Sequence, residues 1–369
     1  MCGIVGYVGQ NNAAKAVLDG LELLEYRGYD SSGIALCRDK LELYKDCLRV
    51  RALRNLVPDG DCALAIGHTR WATHGMPSRK NAHPHISFDE KVAICHNGII
   101  ENYRELKREL QLKGIDFYSD TDSEVIAHLV ALELKDSKTL TEALIKATKY
   151  LKGAFTILAI SPLFPGEIAA YRYNASLLVS KTKDGGIAAI DALALYKYTD
   201  EAYILQNNEA ARITANSIEI FSNGIKIEKT PVRIEKYTLS ERECHMDSEI
   251  LEIPCALKKT YVSVSKTLKG INLDGIDSVV LSGCGTAFHA ALYGKRVIEK
   301  LARIPCSTYI ASEFSEASFI NEKTLAIFLS QSGETKDTLT ALETAKSFGA
   351  KTLAITNVKG STLDYASDY

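Results

Sequence analysis

Position 2 is a cysteine in Met1-Cys2-Gly3-Ile4-Val5-Gly6, so removal of the initiator methionine would leave a thiol and a free α-amine on one residue. A thiol titrates near ~8.5 and an α-amine near ~7.7 to 8.0, so at neutral pH part of that amine can accept the thiol proton. One residue then carries both nucleophile and base, the arrangement of an N-terminal nucleophile. The alternative at this position is a cysteine that packs as a small hydrophobe. Gly67-His68-Thr69-Arg70-Trp71-Ala72-Thr73-His74-Gly75 holds the single tryptophan, with an arginine directly after an apolar run. A guanidinium there can form a two-pronged pair with a ligand carboxylate, or lie at the surface beside the indole. Cys95-His96-Asn97-Gly98 supplies an amide and a glycine N–H that suit an oxyanion hole, but Asn-Gly is also a common turn dipeptide. Ser119-Asp120-Thr121-Asp122-Ser123-Glu124 either caps the helix that follows or, through Asp122, holds an ammonium group. Histidines 68, 74, 83, 85 and 96 cluster in sequence and raise a metal site as a rival. No carboxylate or cysteine stands at zinc-like spacing to them and Pro84 closes no chelate, so no metal is expected.

The elements that must position these residues are legible in outline. Ile4 to Val8, Gly33 to Cys37, Ala63 to Thr69, Lys91 to His96, Phe155 to Ile160, Ile168 to Tyr173, Leu177 to Ser180 and Ile187 to Ile190 read as short strands. Amphipathic helical patterns cover Ala13 to Tyr26, Tyr103 to Lys113, Ser123 to Leu134 and Leu140 to Leu151, so the first part is expected to be α+β, with sheets covered by helices. After about Pro231 comes a charged stretch, Arg233 to Glu249, and then strand, Gly- or Ser-rich turn and helix in repetition. Strands at Ser278 to Leu281, Ser307 to Ala311, Leu325 to Leu329 and Thr352 to Thr356, with helices at Ala287 to Ala302 and Asp337 to Phe348, predict a parallel α/β domain.

With 369 residues, 46% hydrophobic and 24% charged, the chain has the composition of an ordinary globular protein of two domains. A net charge of −2 gives no electrostatic reason for nucleic acid or an anionic membrane as partner, which leaves a small molecule. Nine dispersed cysteines without a C-x-x-C pair indicate neither a disulfide framework nor a zinc knuckle, and a reducing cytoplasm is the expected location. No leader pattern and no apolar run of membrane length is present, so neither export nor a membrane span is expected.

Taken in order, Cys2-Gly3-Ile4, Glu25-Tyr26-Arg27-Gly28-Tyr29-Asp30-Ser31, His68 to Gly75, Asn81-Ala82-His83-Pro84-His85, His96-Asn97-Gly98 and Thr121-Asp122-Ser123-Glu124 closely resemble the glutaminase domain of the glutamine:fructose-6-phosphate aminotransferase family. The resemblance implies an N-terminal nucleophile hydrolase sandwich, αββα. It implies that Cys2 attacks the glutamine amide to give a glutamyl thioester and ammonia, with Asn97 and Gly98 on the oxyanion. Arg70, with Thr73 and His74, would take the glutamine α-carboxylate and Asp122 the α-ammonium, while Arg27 would orient Cys2. The loop from Arg70 to Pro77 would form the lid, with Trp71 as the ammonia gate. L-glutamine and fructose 6-phosphate are the implied substrates, no cofactor is called for, and the full-length form is implied to be a homodimer.

In the second domain two loops invite a phosphate. Leu281-Ser282-Gly283-Cys284-Gly285-Thr286 runs from strand through paired glycines into a helix, and Leu329-Ser330-Gln331-Ser332-Gly333-Glu334-Thr335 clusters hydroxyls before another. If they follow neighbouring parallel strands they converge at one sheet end. The second loop resembles the signature of sugar isomerase domains, which implies that Thr286, Ser330, Gln331, Ser332 and Thr335 hold a sugar phosphate. Ala287 stands where relatives carry serine, Tyr173-Asn174-Ala175-Ser176-Leu177 replaces a Gly-Ser-Pro-Leu run, and His245 to Pro254 keeps only the frame of an interdomain helix. The expected division is a glutaminase domain at 2–230, linker and helix at 231–270, and a sugar isomerase domain at 271–369. Relatives carry two such domains, and the chain reaches Tyr369 before the first is complete, so a truncated form with the glutaminase half-reaction is expected. Two other readings stand beside it: a phosphoribosyl-transferring amidotransferase, and a sugar-phosphate sensor or partner subunit without turnover.

Overall fold

The computed structural model describes residues 2–10, 12–71, 75–234, 245–267, 271–317, 319–358 and 361–369. The chain divides into two compact units, Met1–Thr238 and Leu239–Tyr369.

The first unit is built on two antiparallel sheets of eight and seven strands. In the eight-stranded sheet Gly3–Gly9 is central, paired on one side with Leu64–Arg70 and on the other with Gly185–Ala189. Every residue of Gly3–Gly9 and of Leu64–Arg70 is buried, which explains why these strands read as apolar runs instead of alternating. In the seven-stranded sheet Ala93–Ile100 lies beside Gly153–Ile160, which pairs in turn with Glu167–Tyr173.

The sheets pack face to face. A Cβ at Gly6 would stand 2.9 Å from Leu158 Cδ1, 3.2 Å from Ile168 Cδ1 and 3.2 Å from Ile66 Cγ2, so the absent side chain is what lets the second sheet approach. One residue on, the chain faces the other way: Gly67 meets Val17 and Leu21 of the helix Ala13–Leu23, which covers the outside of the first sheet. Asn12 starts that helix by accepting a hydrogen bond from Lys15 N–H at 3.2 Å. The outside of the second sheet is covered by Glu124–Glu133 and Leu140–Thr148, whose Val125, Ile126, Leu140 and Leu144 pack with Ile94, Ile157, Ala159 and Ala169. The layers are therefore helix, sheet, sheet, helix, as the sequence indicates.

The second unit holds a four-stranded parallel sheet ordered Cys306–Ile310, Ser278–Gly283, Thr324–Ser330, Lys351–Thr356. Val279, Leu281 and Leu325 pack on one face with Ala291 of the helix Thr286–Ala302. Val280, Ala326 and Phe328 pack on the other with Leu339, Leu342 and Ala345 of the helix Lys336–Ser347. His245–Thr267 forms one long helix with Pro254 inside it, where the sequence shows only a charged stretch giving way to an interdomain-helix pattern. Among the described residues no helix is long and apolar enough to cross a membrane.

Leu158 is fully buried between the two sheets of the first unit. Leu158→Ala is expected to cost about 2 to 5 kcal/mol, read as a lower urea midpoint at unchanged slope. A loss below ~1 kcal/mol would mean that the sheets close over the cavity.

Candidate active site

Cys2 lies just before the central strand and is fixed through its neighbours. Gly3 N–H donates to Thr69 Oγ1 at 3.1 Å, and a side chain at Gly3 would run into that hydroxyl. The Cys2 carbonyl accepts from Asn97 Nδ2 at 3.0 Å. Its sulfur accepts from Trp71 N–H at 3.2 Å and faces the Trp71 carbonyl at 3.5 Å. Burial pushes the thiol's pKa up, and this outweighs the opposing pull of the Trp71 N–H and of the Arg70 and Arg27 charges. The resting sulfur is therefore a thiol that needs a base.

Cys2, Arg70, Trp71, Asn97, Gly98 and Asp122, drawn from four separate parts of the chain, line one cleft. Arg70 ends the Leu64–Arg70 strand and is only 4% exposed, which removes the surface reading of its guanidinium. One arm donates to Gly75 O at 3.1 Å across the loop that leads away. Asn97 and Gly98 lie within the Ala93–Ile100 strand, so they form no turn. Gly98 has φ 130°, and a Cβ there would fall 1.9 Å from Ala154 O, so only glycine fits. Asp122 does not cap the next helix: one carboxylate oxygen takes Ile100 N–H at 2.8 Å, binding the loop to the strand of Asn97. Ser123 gives that helix no side-chain cap either and pairs with His96 Nδ1 at 2.8 Å instead. Glu124 accepts from the N–H groups of Tyr118 and Ser119, which shapes the turn before the helix.

Arg27 does not line the cleft. It binds Asp191 at 2.8 Å, and Tyr26 O–H donates to the same carboxylate oxygen at 2.7 Å, so Arg27 reaches Cys2 through its field. Trp71 is 47% exposed and meets Tyr29 edge-on with ring centres 5.9 Å apart. Thr73 and His74 lie outside the described residues.

His83 and His96 also line the cleft and belong to a layer of imidazoles that the sequence raised as a metal site. The rings of His68 and His83 lie 4.1 Å apart and those of His83 and His85 4.5 Å apart, all three buried. Among the described residues no group of histidine, cysteine and carboxylate side chains is arranged to hold a metal ion. His85 Nε2 pairs with Thr121 Oγ1 at 3.1 Å, while among the described residues His83 has no hydrogen-bond partner on either ring nitrogen. Lys45 supports the layer from outside, donating to the Ala82 and Pro84 carbonyls at 2.7 and 2.8 Å; burial lowers its pKa to about 8. Burial likewise lowers His68 to about 3 and moves His83, His85 and His96 in the same direction. The signal available in sequence was Asn81-Ala82-His83-Pro84-His85 beside His68 and His96, a density of imidazoles without metal spacing.

In the second unit the two hydroxyl loops follow adjacent parallel strands, since Gly283 pairs with Leu329. Their helices leave on opposite faces, so both loops open at the point where the strand order reverses. Thr286 begins one helix and Thr335 precedes the other. Ser330 Oγ accepts from Gly333 N–H at 3.0 Å and lies 3.2 Å from Thr335 Oγ1, while Ser332 Oγ accepts from Glu334 N–H at 3.2 Å. Gln331 is tied through its carbonyl, which accepts from Asn357 N–H at 3.3 Å.

Comparison with known proteins gives a family model described as a glutamine amidotransferase domain over residues 68–162 and one described as a SIS domain over 273–369. The chain is 42% identical to the glutamine–fructose-6-phosphate aminotransferase (isomerizing) of Clostridium acetobutylicum, with 100% of this chain and 63% of that protein aligned. It is 41% identical to the protein of the same name from Aquifex aeolicus, covering 100% and 64%. The chain thus spans under two thirds of the length of these relatives. Among solved structures, a glutamine phosphoribosylpyrophosphate amidotransferase from B. subtilis matches with TM-score 0.53 and 17% identity over 96% of this chain and 81% of that one, a likeness of fold.

The histidine layer sets an acid limit. The folded His68 stays neutral down to about 3, whereas an unfolded histidine takes up a proton near ~6.5. Within that window the unfolded state binds more protons, so stability falls as pH drops, by up to about 1.4 kcal/mol per pH unit for each such histidine. His83, His85 and His96 add with the same sign. Urea titrations at pH 7 and pH 5 are expected to show a much lower midpoint at pH 5; equal midpoints would contradict a neutral buried layer.

Proposed function

We propose that the chain belongs to the glutamine–fructose-6-phosphate aminotransferase family and is a glutamine hydrolase whose ammonia is destined for fructose 6-phosphate. The observation that carries this reading is the meeting of Cys2, Arg70, Asn97, Gly98 and Asp122 in one cleft. Once Met1 is removed, the α-amine of Cys2 takes the thiol proton as sulfur attacks the side-chain carbonyl carbon of glutamine. The carbonyl oxygen becomes an oxyanion held by Asn97 and Gly98, where one donor is worth ~3 to 4 kcal/mol. Collapse expels the amide nitrogen, which takes the proton from the amine and leaves as ammonia. Water then attacks the thioester, releasing glutamate and restoring the thiol.

The α-carboxylate of glutamine pairs with Arg70, helped by Thr73 and His74, and its ammonium with Asp122. Arg27 holds Cys2 by its charge, and Trp71 gates the departing ammonia. A glutaminase domain at 2–230, a connecting helix within 231–270 and a sugar isomerase domain at 271–369 complete the assignment. In that second domain Thr286, Ser330, Gln331, Ser332 and Thr335 take the phosphate and hydroxyls of fructose 6-phosphate, giving glucosamine 6-phosphate as the product of transfer. The isomerisation step is assigned to no residue here. A cytoplasmic protein that assembles as a homodimer in its full-length form fits the same reading. The two loops at the switch point favour a sugar phosphate over a phosphoribosyl diphosphate, because they offer hydroxyls, while Glu334, the carboxylate in the second loop, accepts from Thr362 N–H and Oγ1 and no acidic neighbour stands beside it for a diphosphate-bound cation.

Two measurements test this. Glutamate release from glutamine is expected for the processed protein and is expected to vanish in Cys2→Ala at unchanged melting temperature; equal release by both would overturn the assignment, and hexose phosphate binding without glutamate release would favour the sensor. Arg70→Lys keeps the charge but loses the two-pronged pair. It is expected to raise KM for glutamine roughly tenfold to a hundredfold, the value of a hydrogen bond between charged groups.

A further inference from the structure

We propose that His68 is a positioning residue that fixes which way the Asn97 amide faces, and so keeps a hydrogen-bond donor aimed at the oxyanion. The inference rests on the proposed hydrolysis at Cys2 and deepens it.

The argument is one of proton bookkeeping. His68 Nε2 lies 3.1 Å from the His96 carbonyl oxygen and 2.8 Å from the Asn97 side-chain oxygen. A carbonyl can only accept, so Nε2 carries the ring's proton and shares it between both partners. The atom of Asn97 that faces His68 must therefore be Oδ1, and Nδ2 must face the other way. There one of its hydrogens goes to the Cys2 carbonyl at 3.0 Å, which leaves the second for an oxygen bound in the cleft that Asn97 lines.

Without that donor the two-fold amide torsion is set by the Cys2 carbonyl alone, through a contact of 3.0 Å that is longer than the 2.8 Å contact to His68. The wrong face would set Oδ1 against the Cys2 carbonyl and against the oxyanion. His68 itself has little freedom. It is 1% exposed, its ring stacks on His83 at 4.1 Å, and its Nδ1 has no hydrogen-bond partner among the described residues. The contact also crosses between sheets, since His68 belongs to Leu64–Arg70 and Asn97 to Ala93–Ile100.

The test is a pair of isosteric variants. His68→Gln can place an amide N–H where Nε2–H stood, whereas His68→Asn is too short to do so. With the wild type releasing glutamate, His68→Asn is expected to lower kcat by about tenfold to a hundredfold, part of the loss for an oxyanion donor. Its KM for glutamine should stay within about threefold of wild type, and His68→Gln should recover most of kcat. In an Asn97→Ala background His68→Asn is expected to cost less than about twofold more, because the group it positions is gone. Equal kcat for His68→Asn and wild type, equal loss in both His68 variants, or losses that multiply with Asn97→Ala would overturn the proposal. Nitrogen NMR of histidine-labelled protein gives a reading independent of turnover: His68 is expected as the Nε2–H tautomer, and an Nδ1–H tautomer would refute its role even if the protein released no glutamate. A wild type that fails to release glutamate while showing the Nε2–H tautomer would strike the proposed function alone.

Discussion

The polar contact from the Asn97 amide to the Cys2 carbonyl at 3.0 Å, together with those from His68 to the His96 carbonyl and to Asn97, crosses between two sheets whose facing layer is largely apolar. Apolar packing is strong but has no direction, and sheets stacked on leucine and isoleucine can slide by fractions of an ångström at little cost. Oxyanion stabilisation tolerates no such slide, since its donors must stand about 2.7 to 3.1 Å from the charge that forms. On the proposed assignment the nucleophile stands just before a strand of one sheet and its donor lies in the other. The chain therefore needs a directional tie at that point, and it supplies a short series: Thr69 to Gly3, Asn97 to Cys2, His68 to Asn97, and Asp122 to Ile100.

This tie is costly to fold. Four imidazoles are buried with nitrogens of His68, His83 and His96 left without hydrogen bonds among the described residues, and each such group costs about 1 to 3 kcal/mol. A hydrophobic layer of the same volume would carry no such unpaired groups. The imidazoles hold shape, and burial keeps them neutral. Neutral rings can stack at 4.1 Å where cations would repel, so the depressed pKa values are a condition of the packing as well as its result.

Much of the site was legible because its residues are types that chemistry restricts. Cys2 beside a potential amine, Arg70 after a strand and Asn97-Gly98 each announced a role, and strand patterning placed them at strand ends. Each also had an ordinary reading, and tertiary structure removes it: Arg70 is inside, Asn97 and Gly98 lie in a strand, and Ser123 does not cap. The histidine layer was illegible for a different reason. Sequence spacing tests for metal ligands, but stacking of rings from separate strands depends on which sheets face each other, and nothing local records that. The helix Val50–Arg54 and the outer strands Leu41–Asp46 and Glu201–Ile204 went unread because they are short and polar, and tertiary pairing selects them.

On the proposed assignment the two units solve different recognition problems with different backbone. In the first, the groups meant for the amide carbonyl come from strand residues, because a charge that exists only in passing must be met by donors already in place. In the second, the groups meant for the phosphate come from loops before two helices, where a permanent anion can be met by several N–H groups and hydroxyls of modest precision. Gly333 shows how those loops are held: it has φ 67°, and a Cβ there would fall 2.0 Å from Ser361 Oγ. Rigidity is thus spent on the transient charge. The lasting one is left to a cradle whose parts, Ser330 with Thr335 and Ser332 with Glu334, first satisfy each other.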